Sequence, residues 1–93
     1  MHIGICTLYL RLLEGRSLKD KRRVVKSIKD RLRGKFNVSV AEIDELDKWQ
    51  LATLGIACVS NDTRFTNSVL SSVVSFVGAV HAVEIMDYEI EIQ

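Results

Sequence analysis

Apolar and polar positions alternate in six distinct stretches. From His2 to Leu12 both alternating sets are largely apolar, with Gly4, Cys6, Leu8, Leu10 and Leu12 on one side and Ile3, Ile5 and Tyr9 on the other. A strand apolar on both sides belongs in the middle of a sheet. Glu14-Gly15-Arg16 turns the chain, and Ser17-Leu18-Lys19-Asp20 approximates a capping box that opens a helix. A 3.6-residue period gathers Leu18, Val24, Val25, Ile28 and Leu32 into an arc of about 120°, and Gly34 predicts a left-handed end to the helix.

Phe36 to Ile43 reads as a shorter strand, with Phe36, Val38 and Val40 facing one way and Asn37, Ser39 and Ala41 the other. After a polar connection, Leu51 to Ser60 is a second strand apolar on both faces. Asn61 or Asp62 caps a second helix. Its inner side is expected to hold Phe65, Val69, Val73, Phe76 and Val77, with Leu70 and Val74 widening the arc, and Gly78 follows its end. Met86 to Gln93 alternates cleanly, but Val83 and Ile85 lie in the opposite phase, which predicts a bulge near Glu84 to Met86.

The order β-α-β-β-α-β with short turns predicts an α+β fold. It is a ferredoxin-like βαββαβ sandwich, a four-stranded antiparallel sheet with two helices on one face. Residues 1–93 form a single domain. Two helices cover one face only, while the central strands are apolar on both. A second copy of the chain is therefore expected on the open face, making a homodimer.

Charge changes this picture more than composition does. The net charge is only +1, yet Arg16 to Lys35 holds ten of the thirteen Lys and Arg residues and two of the twelve acids. That segment carries +8 and the remainder −7. On the helical wheel Lys19, Arg22, Lys26, Lys29 and Arg33 fall within about 80°, at spacings of three, four, three and four, as a straight row roughly 21 Å long. A nucleic-acid strand offers roughly six phosphates over that length. A charged, solvated face is the ordinary explanation of such a run. Here five like charges repel one another at i,i+3 and i,i+4, relieved only by Asp30, so anion binding is favoured over it.

Arg16, Ser17 and Lys21 form a second candidate anion site beside the helix N-terminus. Lys21 falls inside the apolar arc, and its stem is expected to run over the sheet edge toward solvent. The acids Glu42, Asp44, Glu45 and Asp47 are expected to solvate a hairpin tip rather than hold a metal.

Catalysis finds no support in the residues. His2 and His81 stand alone, the serines of the second helix have no adjacent base, and no phosphate-cradling glycine loop is present. Arg16 with Asn37 or Asn61 could imitate the acylphosphatase pair, but the loop that enzyme requires is absent. No cofactor, metal site or catalytic set is expected, and Cys6 and Cys58 read as buried reduced thiols. No apolar run reaches the ~20 residues of a membrane span.

SLKDKRRVVKSIKDRL followed by FNVSVAEIDELDKWQLATLGIACVSND resembles the bacterial YlxP-like family, a domain of unknown function numbered 503. Phe36 to Glu42, Trp49 and Val59-Ser60-Asn61 carry the resemblance. It implies a ferredoxin-like fold and a cytoplasmic bacterial protein with no established activity. Members tend to be encoded near translation-initiation and ribosome-maturation genes, which makes RNA or the ribosome the expected partner. It also directs attention to Asn37, Ser39 and Glu42 as interface or ligand contacts. The alternative is a small regulatory or scaffold module that binds an anionic metabolite or a protein.

Overall fold

The computed structural model describes residues 1–93. Its elements are β1 (His2–Leu12), α1 (Leu18–Lys35), β2 (Ser39–Asp44), β3 (Leu51–Ser60), α2 (Thr63–Gly78) and β4 (Val83–Ile92). The sheet order is β2-β3-β1-β4 with every pairing antiparallel, so the two strands apolar on both faces lie inside. This is the ferredoxin-like α+β arrangement, with both helices on one face.

The core lies between sheet and helices. Cys6, Leu8, Leu10 and Leu12 of β1 and Leu54, Ile56 and Cys58 of β3 meet Val25, Ile28 and Leu32 of α1 and Leu70, Val73 and Val77 of α2. Both thiols are free and buried, and burial pushes Cys6 up to about 11, so it stays protonated. Gly4 lets α2 approach β1 closely. A Cβ there would overlap Thr66 Cγ2 and lie 2.8 Å from Leu70 Cδ1. This contact centres the inner side of α2 on Thr66, Leu70, Val73 and Val77, and it leaves Phe65 60% exposed rather than inside.

Neither glycine caps its helix as the pattern predicts. Gly34 sits within α1 without positive φ, and the helix runs on to Lys35, where Phe36 N–H donates to Leu32 O at 2.8 Å. Gly78 is the last residue of α2, and Ala79 caps it in right-handed geometry. Phe36 is not in β2. It sets its ring edge-on to Phe76, with centroids 6.1 Å apart, and the strand starts at Ser39. The bulge in β4 is where the phase change put it: Tyr9 pairs with Asp87 and Leu10 with Ile85, leaving Met86 extra. A second bulge leaves Ile43 extra in β2.

No element of the chain covers the other face of the sheet. Ile3, Ile5, Thr7 and Tyr9 of β1 lie there half-buried, with Val59 and Ile43 exposed beside them. Cross-strand pairing puts Asp87, Glu89 and Glu91 on the same face along the β4 edge. Gly4→Ala should overpack the α2–β1 contact and cost about 1–3 kcal/mol. Urea denaturation should show it, together with a fall in Tm of about 4–8 °C per kcal/mol for a domain of this size.

Candidate phosphate-binding surface

The N-terminus of α1 is closed by its own residues. Ser17 Oγ accepts from Asp20 N at 3.1 Å, and Asp20 Oδ2 accepts from Arg16 N at 2.9 Å. The Arg16 backbone N–H, then Ser17 Oγ, with Arg23 and Lys19 nearby, hold the Asp20 carboxyl below its usual range. A carboxylate thus stands where an external anion would approach the helix end.

Lys21 is turned away from this end altogether. Its side chain is wholly buried, and Nζ donates to Glu45 O and Lys48 O, both at 2.6 Å, and to Leu51 O at 2.9 Å. Those three bonds use all three ammonium protons. Glu42 Oε2 lies 2.8 Å from Nζ as a fourth oxygen, an ion pair outside hydrogen-bonding geometry. Arg16, Ser17 and Lys21 are therefore not brought together as one anion site. Lys21 has to be removed from that group, because backbone carbonyls out-compete solvent for its head. Glu42 likewise parts from Asn37 and Ser39. It shares the parity of Val40 and turns under α1, whereas Asn37 and Ser39 stay exposed.

Two of the four hairpin acids pair with cations of the chain, and Asp44 accepts from Glu45 N. Glu42 meets Lys21, and Glu45 pairs with Lys48 at 3.0 Å. No cluster of three or more His, Cys, Asp or Glu side chains is placed to hold a metal ion.

The row on α1 lies on the flank turned toward the β2 edge. Lys19, Arg22, Lys26 and Arg33 are exposed and Lys29 is half-buried. Lys26 bonds Asp30 Oδ2 at 2.7 Å, and Arg33 donates to Val40 O at 2.8 Å, covering part of that free edge. The Lys26 hydrogen bond first, then the Lys26, Arg33 and Lys29 charges, keep the Asp30 carboxyl below its ordinary value. Lys19, Arg22 and Lys29 have no hydrogen bond or ion pair within the chain. On the opposite flank Arg31 and Lys35 stand over the Phe76 ring, 5.7 and 5.2 Å from its centroid. The ten cations of the segment are thus sorted: one buried, two on an aromatic ring, five in the outward row, and Arg16 and Arg23 exposed outside it.

A split βαβ domain with one charged helix face is the class that these features define. The chain belongs to the family described as "Protein of unknown function (DUF503)", whose model matches residues 3–90. It is 38% identical over 82 residues to the "Uncharacterized protein YlxP" of Bacillus subtilis (strain 168), an alignment covering 88% of this chain and 89% of that one. Among solved structures it resembles the de novo designed protein Foldit4, with a TM-score of 0.50 and 13% identity over all of this chain and 94% of that one. That likeness speaks for the fold alone. No helix is long and apolar enough to cross a membrane.

Lys21→Met should cost about 3–5 kcal/mol, because it leaves the Glu42 carboxylate and three backbone carbonyls without their cation. Adding Glu42→Leu should recover only part of that in a urea-denaturation cycle, since three carbonyls still lack their donor. The depressed Asp20 and Asp30 carboxyls add stability above the ordinary carboxylate range, lost as pH falls through their lower folded values. Tm followed from about pH 6 to about pH 2.5 should therefore fall less steeply in an Asp20→Asn/Asp30→Asn variant.

Proposed function

We propose that this protein is a non-enzymatic binding domain for structured RNA, alone or within the ribosome, with the outer face of α1 as its phosphate clamp. The observation that carries this reading is the row Lys19, Arg22, Lys26, Lys29 and Arg33. Three of its members have no partner in the chain; Lys26 pairs with the exposed Asp30, and Arg33 bonds Val40 O. Cations left without carboxylates repel one another along a rigid rod, and a line of phosphates removes that repulsion. Contact of this kind reads backbone rather than base, so weak sequence preference follows. The central strands offer only Tyr9 as an aromatic on the open face, which disfavours base stacking on the sheet.

A homodimer through the open sheet face belongs to the same reading, because two copies present two rows. Setting β4 of one copy across β2 of the other keeps the two acidic columns apart while Ile3, Ile5, Ile43 and Val59 are covered. Light scattering at micromolar concentration giving a monomer mass would remove this part.

Three to five phosphate contacts give a log–log salt slope between about −2 and −4.5. That is a loss of affinity of roughly 20- to 500-fold from 50 to 200 mM salt. Filter binding to a structured RNA should show it, and no binding even at 50 mM salt would refute the clamp. Lys19→Glu with Arg22→Glu should weaken binding at least roughly tenfold and lower the slope by about 2. Both side chains are exposed, so Tm should stay nearly unchanged.

A further inference from the structure

At the end of the sheet where β1 leaves and β3 enters, the surface opens into a cleft of about 520 Å³. Arg11, Leu13, Arg16, Trp49, Gln50 and Leu51 line most of it. No carboxylate is among the lining residues. Trp49 is the single tryptophan of the chain and is 36% exposed. The Arg16 guanidinium has no hydrogen bond or ion pair in the protein, and Arg11 spends one arm, NH2, on Glu84 at 3.0 Å. The cleft therefore combines a flat aromatic surface, an apolar wall from Leu13 and Leu51, two guanidinium groups and a free side-chain amide. Its size suits a small ligand.

The backbone of this platform is held by Lys21. Lys21 grips Lys48 O and Leu51 O, the carbonyls on either side of Trp49-Gln50. Gln50 O in turn accepts from Leu12 N at 2.8 Å, which pins the segment to the end of β1. On the facing side Gly15, at φ +90, turns the chain so that the Arg16 backbone N–H meets Asp20 and the Arg16 side chain stays free. A ligand entering here meets a backbone that is already fixed and has to order only exposed side chains such as Arg16 and Gln50. A buried ammonium is a costly way to hold a loop. It is accounted for when the position of that loop matters to binding.

We propose that this cleft binds one nucleotide unit, its base stacked on Trp49 and its phosphate held by Arg16 and Arg11. A guanidinium pair recognises a phosphate through forked hydrogen bonds, and an indole face accepts any base. The Gln50 amide can meet the base edge with a donor or an acceptor. The unit can be a free mononucleotide or an unpaired nucleotide of an RNA. The site does not depend on the basic row, since no residue is shared between them.

Trp49 is its own reporter. Its fluorescence should be quenched saturably by adenosine or guanosine 5′-monophosphate, with adenosine alone and inorganic phosphate alone each weaker by roughly tenfold or more. Arg16→Ala should weaken the mononucleotide by roughly tenfold. Lys19→Glu/Arg22→Glu should leave it within about twofold, because that variant alters only the row. An RNA hairpin with one bulged adenosine that quenches Trp49, when its fully paired counterpart and the mononucleotides do not, assigns the site to unpaired RNA and still supports the proposal. No quenching by either probe at millimolar concentration overturns it. So does quenching that Arg16→Ala leaves unchanged, or inorganic phosphate binding as tightly as the mononucleotide. Loss of paired-hairpin binding in the Lys19→Glu/Arg22→Glu protein reports on the phosphate clamp alone.

Discussion

The ammonium of Lys21 ties together parts of the structure that have no other reason to stay in register. It sits in the middle of the buried arc of α1, yet its bonds go to the connection between β2 and β3 and to the first residue of β3. That connection is polar and short of apolar anchors, and Glu45 within it holds φ +62, a left-handed conformation costing about 1–2 kcal/mol for a residue with a Cβ. Charge-assisted hydrogen bonds contribute about 1.5–3 kcal/mol each, so three of them offset that strain and much of the desolvation of the ammonium. Glu42 then balances the charge. The outcome is a loop fixed from beneath by a helix, with the helix fixed in rotation by the loop.

Fixing that rotation decides where every other cation of α1 points. With Lys21, Val25, Ile28 and Leu32 inward, the row from Lys19 to Arg33 must emerge on the β2 side and Arg31 and Lys35 on the α2 side. The two flanks behave differently because their neighbours differ. Phe76 offers its ring to two cations on one side. On the other, Arg33 takes the Val40 carbonyl of the edge strand, and Asp30 is the carboxylate that pairs with the row. The segmental imbalance of +8 against −7 therefore becomes a spatial one, with cations beside the β2 edge and Asp87, Glu89 and Glu91 along β4.

Much of the fold was legible because side-chain periodicity encodes it. Strands β1 and β3 match their expected limits, and the phase break before Met86 located a bulge that no propensity would have shown. Gly34 and Gly78 misled because glycine permits a left-handed cap without requiring one, and each helix closed through a following residue instead. The wheel found the row, but its two internal ties are only partly visible: Lys26 to Asp30 follows from spacing, whereas Arg33 to Val40 O does not. Lys21 was the deeper miss. Its partners are backbone carbonyls, which every sequence possesses, so nothing in the residue identities could mark three of them as converging. The parity of Glu42 with Val40 was the one available signal that a carboxylate lay on the inner face.

The helix carries the row itself and, through Lys21, holds the loop that forms one side of the cleft. Arg16 precedes the helix and Lys19 begins the row within a turn of it, so a strand lying along the row runs toward the cleft. Were the proposed clamp to engage the phosphates of an RNA, a nucleotide tethered to that strand would meet Trp49 at an effective concentration set by a few backbone bonds rather than by bulk solution. The arrangement requires the row and the loop to keep a constant offset while ligand arrives. Lys21 supplies that offset, since it belongs to the helix by its chain and to the loop by its bonds. A methionine there would lose the offset and, by stranding three carbonyls and Glu42, stability as well, so the placement of the surface and the stability of the fold rest on the same bonds.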